Sequence, residues 1–329
     1  MNKWYLSILL WVHLSSHAAG PAAEKFIFYQ PWLSHQQVSA ATWNEMGQDL
    51  RAQGYTHVIF QWSQYGQNQF WGADKSSLLQ RVVQTPGPKA IQYIFGLYLG
   101  EDYYAKLGQS DQALSQYLAQ SRQFALQNAR KIMQQSPRAV AGWYLPEEID
   151  DLNWRTPARQ KLLQAHFLAL SKELKAIAPN TQIYASAFFG GHTPPADFAK
   201  QMNTLLRTTG MILLVQDGLG TGRMNAQQTQ RYLQRFTAQL PNQQWHGILE
   251  TFDIHRVGKE DFFCLTQAKD LEIRKKVWIA ATRRPPQAVF SANQLAPSQL
   301  NQLACAKARN SANSRQHLPI YKQIIPLQP

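Results

Sequence analysis

The chain has 329 residues, of which 44% are hydrophobic and 16% charged, and its formal net charge is +13. This balance indicates a globular protein with a large core and excludes a largely disordered chain. The basic residues are scattered, with no dense run and no recognisable nucleic-acid motif, so the charge does not indicate nucleic acid as a partner. A solvated surface accounts for it, and an anionic polysaccharide stays open as a partner.

Residues 1–19 have the features of a signal peptide. Lys3 supplies a positive charge, and the apolar stretch from Trp4 to Leu14 is too short to span a bilayer. Small residues for cleavage follow from Ser16 to Ala19. We therefore expect an exported protein, periplasmic or secreted, with no stable membrane span after cleavage. An uncleaved anchor is the alternative.

Eight short apolar runs alternate with amphipathic segments. Near-continuous apolar runs are typical of parallel strands covered by helices. The pattern predicts an α/β fold, a single-domain (β/α)8 TIM barrel over residues 20–309, followed by a C-terminal tail at residues 310–329. A doubly wound open sheet is the alternative. The predicted strands are Phe26–Gln30, His57–Trp62, Ile91–Leu97, Ala141–Leu145, Gln182–Phe188, Met211–Gln216, Trp245–Glu250 and Val277–Thr282.

Several predicted helices have clear ends. Ser110 and Asn225 are suitable N-caps, and Thr156 precedes a proline at the tolerated first helical position. Thr266 is expected to cap the helix that follows it. Gly210 is well placed to end a helix just before the sixth strand.

Two cysteines, Cys264 and Cys305, occur late in the chain, near the last two predicted strands. In an oxidising compartment such a pair is expected to form a disulfide. Two separate thiols are the alternative.

The residues that follow the predicted strands combine aromatic rings, amides and carboxylates. In a TIM barrel the working residues lie at the carboxyl ends of the strands. Rings stack on the apolar faces of sugars, while amides and carboxylates bind hydroxyl groups, so this combination predicts a polysaccharide or oligosaccharide site. The candidate substrate-binding residues are Gln30, Trp32, Gln61, Trp62, Tyr98, Asp150, Phe188, Asp217, Trp278 and Arg283.

Two glutamates are the candidate catalytic residues. Glu148 follows the fourth strand and Glu250 ends the seventh, and a buried carboxylate is costly unless it is paired, hydrated or used. Facing each other across a pocket, they could cleave a glycosidic bond, with Glu148 as the general acid/base and Glu250 as the nucleophile. Glu147 complicates the prediction, because side chains alternate along a strand and only one of the neighbours should face the pocket.

Four segments carry a family pattern: Phe28–Trp32, Val58–Trp62, Gly142–Asp150 and Val215–Gly220. With them the chain resembles the glycoside-hydrolase-like TIM barrels of the bacterial domain-of-unknown-function 4434 family. The family is similar to a large clan of retaining glycosidases, which implies that Glu148 is the acid/base and Glu250 the nucleophile. That clan commonly has Asn before the acid/base, where it contacts the sugar 2-hydroxyl. This chain has Glu147 there, which departs from the pattern.

Two other functions fit parts of the sequence. Glu147 beside the acid/base favours a degenerate barrel that binds glycan without cutting it. A metal-dependent polysaccharide deacetylase would need His and Asp ligands around one metal. No His-x-x-x-His pair follows the signal peptide, so we expect no metal and no cofactor. The candidate ligands would be Asp150, Asp151, His192, Asp217 and His255.

Three glycines, Gly218, Gly220 and Gly222, follow the sixth predicted strand. Their spacing is not Gly-x-Gly-x-x-Gly, and no Gly-Lys-Ser/Thr occurs, so they do not predict a phosphate-binding loop. They predict a flexible loop over the pocket, from which Arg223 would reach an anionic substituent of the sugar.

Overall fold

The computed structural model describes residues 25–72, 77–84, 91–257, 260–294 and 305. Eight parallel strands close into a barrel in chain order, which confirms the TIM-barrel prediction. The strands are β1 (Phe26–Tyr29), β2 (His57–Phe60), β3 (Gln92–Gly96), β4 (Val140–Asp150), β5 (Gln182–Phe188), β6 (Ile212–Gln216), β7 (Trp245–Glu250) and β8 (Ala288–Phe290). The helices are α1 (Ala40–Ala52), α2 (Leu78–Gln84), α3 (Tyr103–Leu107), α4 (Asp111–Gln135), α5 (Pro157–Ile177), α6 (Pro195–Thr209), α7 (Ala226–Gln239) and α8 (Ala268–Thr282).

The core has two layers, because successive strand residues point to opposite faces of the sheet. The barrel interior is filled by one small cluster that includes Phe28, Ile59 and Tyr144. A larger cluster between the barrel and its helices includes Val58 and Phe60 from the other face of β2. This alternation fixes which residue at each strand end faces the barrel axis.

Most of the predicted helix ends are confirmed. The side chains of Ser110, Thr156 and Asn225 each accept a backbone N–H at the start of a helix, and Asn225 forms a full capping box. Gly210 ends α6 in the left-handed region at φ 68°. The expected cap at Thr266 is wrong by one residue: Gln267 precedes α8, and the Thr266 hydroxyl donates to Asp253 instead.

The predicted eighth strand is wrong. Val277–Thr282 is the last part of α8, where Val277, Trp278 and Ala281 are buried while Ile279 is 50% exposed. This burial follows the helical repeat and not the two-residue repeat of a strand. The true β8 has three residues and begins at Ala288, so it is too short to give a clear pattern.

An antiparallel hairpin of two strands, Phe252–Val257 and Glu260–Leu265, lies between β7 and α8. Cys264 in this hairpin forms a disulfide with Cys305, at a Cα–Cα distance of 5.6 Å, so the predicted pairing is confirmed. Within the described ranges no helix is long and apolar enough to cross a membrane. The predicted signal peptide and the tail at residues 310–329 lie outside the described residues.

Candidate active site

The polar residues of the barrel interior lie at the carboxyl ends of the strands. Ile59, Leu214 and Ile248 face the interior, so Gln61, Gln216 and Glu250, two residues further on, face the same side. Glu148 of β4 joins them through a hydrogen bond described below. We call the group formed by Gln61, Glu148, Gln216, Glu250 and Arg223 the mouth.

Glu148 is only 6% exposed and has a hydrogen-bond donor on each carboxylate oxygen. The Tyr104 hydroxyl donates to Oε2 at 2.7 Å, and Gln216 Nε2 donates to Oε1 at 2.6 Å. Burial raises the pKa of Glu148, while these two hydrogen bonds and the charge of Arg223 act in the opposite direction. Glu148 is therefore oriented from two sides and holds a proton more readily than an exposed glutamate.

Glu147 faces away from the mouth. Its Oε1 accepts a hydrogen bond from Ser121 Oγ of α4 at 2.8 Å and lies 3.6 Å from His166 Nε2 of α5. Glu147, Ser121 and His166 are all buried in the wall between the barrel and its helices. Of the two neighbouring glutamates, Glu148 thus faces the barrel axis.

Glu250 is 1% exposed, and its two oxygens differ. Oε2 accepts the backbone N–H groups of Gly220 and Thr221 at 2.7 and 3.3 Å. Oε1 is buried and accepts no hydrogen bond from the described residues. Burial, followed by the charge of Asp217, raises the pKa of Glu250 to about 8, against the charges of Arg274 and Arg223.

Arg223 is influenced by the charges of both glutamates. Its guanidinium stacks on the Phe188 ring of β5, 4.3 Å from the ring centroid. Burial lowers the pKa of Arg223, while the negative charges of Glu250 and Glu148 both act to raise it. One cation therefore offsets carboxylates from β4 and β7 at the same end of the barrel. Binding of an anionic substituent of the sugar by Arg223 stays a prediction.

The Gly-rich segment that carries Arg223 approaches Glu250 through its backbone. A Cβ at Gly220 would lie 2.8 Å from Glu250 Oε2 and 2.4 Å from the Phe252 carbonyl oxygen, so only glycine allows this approach. Gly218 and Gly222 have φ of 68° and form turns on either side. The predicted loop over the pocket is thus built around the Glu250 carboxylate.

Near β1, Gln30 is fixed by Asn293, which follows β8. Asn293 Oδ1 accepts the Gln30 N–H at 2.9 Å, and Asn293 Nδ2 donates to the Gln30 carbonyl at 2.8 Å. The Gln30 side chain accepts a hydrogen bond from Trp32 Nε1 at 3.2 Å. Gln30 and Trp32 are partly exposed, and Gln61 Oε1 accepts no hydrogen bond from the described residues. Gln30 and Trp32 are therefore accessible from the surface, whereas Gln61 is buried with an oxygen that has no donor among the described residues.

Two predicted binding residues pack outside the barrel interior. Trp62 belongs to the outer core cluster, lies with its ring centroid 4.9 Å from that of Tyr65, and donates from Nε1 to the Pro31 carbonyl at 3.3 Å. Tyr98 packs against Phe124 of α4, with ring centroids 4.8 Å apart. Their contacts are those of core residues that support the mouth.

Two predicted carboxylates are occupied by local hydrogen bonds. Asp150 Oδ1 accepts the Leu152 and Asn153 N–H groups at 2.8 and 2.5 Å, which fixes the turn after β4. Asp217 is fully buried, and its oxygens accept Leu219 N–H at 2.9 Å and Trp278 Nε1–H at 3.0 Å. Both residues brace the ends of strands.

The prediction that placed Trp278 and Arg283 at the end of the eighth strand is wrong, because both belong to the α8 region. Trp278 is buried in the wall and reaches the site only through Asp217. Arg283 follows the last residue of α8, in the left-handed region at φ 58°. Since α8 leads from the carboxyl end of β7 back towards the start of β8, Arg283 lies at the far end of the barrel.

Sequence reasoning missed Tyr104, Asn293 and Arg274. Arg274 is buried and donates to the carbonyl oxygens of Glu250 and Phe252 at 2.7 and 2.9 Å. Tyr104 lies just beyond the third strand, where its aromatic pair with Tyr103 was the available signal. Asn293 was hidden by the misplaced eighth strand. Arg274 gave no signal, because its role depends on how α8 packs.

The deacetylase hypothesis required several metal ligands at one point. Among residues 25–72, 77–84, 91–257, 260–294 and 305, no group of three or more His, Cys, Asp or Glu side chains is placed to hold a metal ion. Asp151, one of its candidates, is instead occupied by the backbone N–H groups of Gly190, Gly191, His192 and Thr193.

Comparison with known proteins supports the family resemblance. The model of a family described as a domain of unknown function, DUF4434, matches residues 26–294. A curated relative, the uncharacterised protein YbcH of Escherichia coli K12, is 31% identical over 252 residues, which cover 76% of this chain and 83% of the relative.

Among solved structures, the barrel is similar to those of glycoside hydrolases. A putative α-L-fucosidase from Bacteroides thetaiotaomicron superposes with a TM-score of 0.65 at 15% identity, covering 91% of this chain and 98% of that one. A GH18 chitinase from Pseudoalteromonas aurantia gives a TM-score of 0.51 at 11% identity, covering 82% and 93%. At these identities the comparison establishes the shared fold.

Proposed function

This chain belongs to the DUF4434 family, and from its barrel and the two glutamates at one end of it we propose that it is an exported glycoside hydrolase. The proposed substrate is a polysaccharide or oligosaccharide, from a bacterial exopolysaccharide or a cell-wall glycan. The proposed mechanism retains the configuration of the anomeric carbon.

The observation that carries the proposal is the pair of buried glutamates at the ends of β4 and β7. Gln216 of β6 donates a hydrogen bond to Glu148. The negative charges of Glu148 and Glu250 both act to raise the pKa of Arg223. Buried carboxylates are rare unless they are paired or used. Arg223 is shared between the two carboxylates, which lie at the strand ends where barrel enzymes act.

In the first step, the Glu148 carboxylic acid donates its proton to the glycosidic oxygen while a Glu250 oxygen attacks the anomeric carbon. The carbon–oxygen bond to the leaving group breaks and an ester bond to Glu250 forms. Oε1 of Glu250 is the oxygen without a hydrogen-bond partner among the described residues, so we assign the attack to it. The backbone N–H groups on Oε2 hold the carboxylate in position.

In the second step, Glu148, now ionised, takes a proton from water, and the water oxygen attacks the anomeric carbon. The ester bond to Glu250 breaks, and the sugar leaves with its original configuration. Tyr104 and Gln216 donate to Glu148, so they stabilise the ionised form that this step needs.

Export is supported by the disulfide between Cys264 and Cys305. Disulfides persist in oxidising compartments and are rare in the cytosol of most organisms. Together with the predicted signal peptide, this supports a periplasmic or secreted location.

The test uses the purified mature chain and panels of neutral glucans, N-acetylhexosamine polymers and uronic-acid polymers. New reducing ends are measured for the wild type and for Glu250→Gln, which removes the nucleophile but keeps the shape of the side chain. We expect kcat/KM of Glu250→Gln to fall by about 10³-fold or more, because the amide cannot form the covalent bond to the anomeric carbon. Proton NMR of the first product should show the anomeric configuration of the substrate.

Glu45→Gln is the matched control, because Glu45 is exposed on α1 and should leave activity unchanged. Wild-type turnover in Glu250→Gln would overturn the assignment of the nucleophile. A product of inverted configuration would overturn the retaining mechanism while leaving the hydrolase in place.

A second function, glycan binding without cleavage, is favoured by one observation: Glu147 stands where the related clan has Asn, and its side chain is turned into the wall. Under that function, calorimetry would show the same glycan affinity for the wild type and Glu250→Gln, with no reducing ends released by either protein.

A further inference from the structure

A buried carboxylate lies directly behind Glu250. Asp217 follows β6, the strand that pairs with β7, and it has no exposed surface. Trp278 of α8 donates to its Oδ2, and the N–H of Leu219 donates to its Oδ1. The Asp217 side chain is therefore fixed by its own strand end and by α8, and the Glu250 backbone acts to lower the pKa of Asp217.

The carboxylates of Asp217 and Glu250 differ in how many of their oxygens accept a hydrogen bond. Both oxygens of Asp217 accept N–H groups, whereas Oε1 of Glu250 accepts none from the described residues. Donors on every oxygen favour the ionised form, and a bare buried oxygen favours the protonated form. When two adjacent buried carboxyls hold one proton between them, the proton therefore resides on Glu250.

The cations around the pair do not cancel this difference. The charge of Arg274 on α8 acts to lower the pKa of both Asp217 and Glu250. The N–H groups of Arg274, however, donate to the carbonyl oxygens of Glu250 and Phe252 and to the Asp253 carboxylate. Arg223 acts on Glu250 from the mouth and is shared with Glu148. Burial raises the pKa of Asp217 as well, whereas the charge of Arg274 and the donors Leu219 and Trp278 lower it, so the hydrogen bonds of Asp217 favour its ionised form.

We propose that Asp217 is a positioning residue for Glu250: its anchored carboxylate, held by Trp278 and Leu219, keeps a proton on Oε1 of Glu250 in the resting site. This deepens the proposed function, because attack by Glu250 then requires that proton to leave. The direction agrees with the raised pKa of Glu250, to which the charge of Asp217 contributes after burial.

The consequence is a specific pH dependence. Glu250 has to be ionised to attack, so kcat/KM rises with pH through the pKa of Glu250, about 8 in the resting protein. Removing the Asp217 charge lowers that pKa, because a neighbouring anion no longer opposes ionisation of Glu250. The rising limb of the profile then moves to lower pH.

The test measures the titration of Glu250 directly, by carbon NMR of protein labelled at the glutamate side-chain carboxyls. Glu250→Gln identifies the resonance. We expect Glu250 to titrate lower by about one pH unit or more in Asp217→Asn than in the wild type. Asp49→Asn, an exposed change on α1, should leave it unchanged. Trp278→Phe, which removes a donor that keeps Asp217 ionised, should shift Glu250 in the same direction by less.

The outcomes separate the two proposals. A Glu250 titration that is unchanged or raised in Asp217→Asn overturns the role of Asp217, even if the wild type hydrolyses glycans. A lowered titration with no hydrolysis at any pH supports Asp217 and overturns the hydrolase. If Asp217→Asn does not fold, an unshifted Glu250 in folded Trp278→Phe overturns the proposal, and a lowered one supports it. If the enzyme is active, the rising limb of kcat/KM against pH should move to lower pH in Asp217→Asn by the same amount as the Glu250 titration.

Discussion

Glu147 and Glu148 are neighbours on β4, both buried, with their side chains in opposite surroundings. Glu147 is 2% exposed and Glu148 6%. The partners of Glu147, Ser121 and His166, come from the helices that wrap the barrel. The partners of Glu148 are Tyr104, from the short helix α3, and Gln216, from the end of β6 at the mouth. We call Glu147, Ser121 and His166 the wall cluster.

The difference shows that a buried carboxylate does not identify a catalytic site. What distinguishes the two residues is the origin of their partners. The wall cluster joins β4 to α4 and α5, which lie next to each other around the barrel, so the Ser121–Glu147 hydrogen bond and the nearby His166 ring contribute to packing. The mouth joins residues of β4, β6 and β7 across the barrel, so its hydrogen bonds and charges converge on a shared site.

The largest expected effect comes from exchanging each carboxylate for its amide. Glu148→Gln should lower kcat/KM by about 10²–10⁴-fold, because it removes the proposed general acid/base. Its melting temperature should stay near that of the wild type, since Tyr104 and Gln216 keep a side chain of the same shape between them. Steady-state kinetics and thermal unfolding measure the two quantities.

Glu147→Gln should show the reverse pattern. Its kcat/KM should remain within about threefold of the wild type, while the free energy of unfolding falls by about 1–3 kcal/mol, because His166 loses a buried anionic partner. Urea unfolding measures the loss. If Glu147→Gln abolished turnover without destabilising the fold, the contrast between wall and mouth would be wrong.

A smaller effect is expected from Tyr104→Phe, which removes one donor from Glu148. The hydrogen bond from Tyr104 lowers the pKa of Glu148, so its loss raises that pKa. Since Glu148 has to be protonated to donate, the falling limb of kcat/KM should move to higher pH. We expect kcat to fall by about tenfold, in line with a hydrogen bond to a charged group of about 1.5–3 kcal/mol.

Tyr55→Phe is the matched control for Tyr104→Phe. Tyr55 is buried just before β2, at the opposite end of the barrel from the mouth, and its ring covers Lys25 Nζ at 4.3 Å. Its hydroxyl should have no effect on the pH profile. A falling limb that stayed in place in Tyr104→Phe would show that Tyr104 does not tune Glu148.

The barrel could be predicted from sequence because seven of its strands are runs of largely buried residues, separated by helices of which several begin at a side-chain cap. The same apolar signal misled the prediction at Val277–Thr282, where one face of a helix packs on the barrel. A run of six residues is too short to separate a buried helix from a strand. The misplaced strand in turn hid Asn293 and placed Arg283 at the wrong end.

The candidate site was predictable in part. Glu148 and Glu250 could be found because each ends an apolar run, and the alternation of strand residues required that Glu147 and Glu148 face opposite sides. Their partners could not be found in the same way. Tyr104, Arg274 and Trp278 lie on helices α3 and α8, and their contacts with the strand ends depend on tertiary packing that no local pattern encodes.

The smallest expected effect is on stability alone and comes from Ser121→Ala in the wall cluster. Ser121 Oγ donates to Glu147 Oε1, while Oε2 accepts no hydrogen bond from the described residues. The change should therefore lower the free energy of unfolding by about 1 kcal/mol, the value of a typical hydrogen bond.

Ser171→Ala on α5 is the matched control, because that buried hydroxyl has no hydrogen-bond partner among the described residues and its loss should leave stability nearly unchanged. Urea unfolding of both variants measures the difference, and equal stabilities would show that the serine contributes nothing to holding Glu147. A fall in kcat/KM in Ser121→Ala would instead show that the wall cluster positions Glu148 through the strand they share, and the two sides of β4 would then have to be treated as one site.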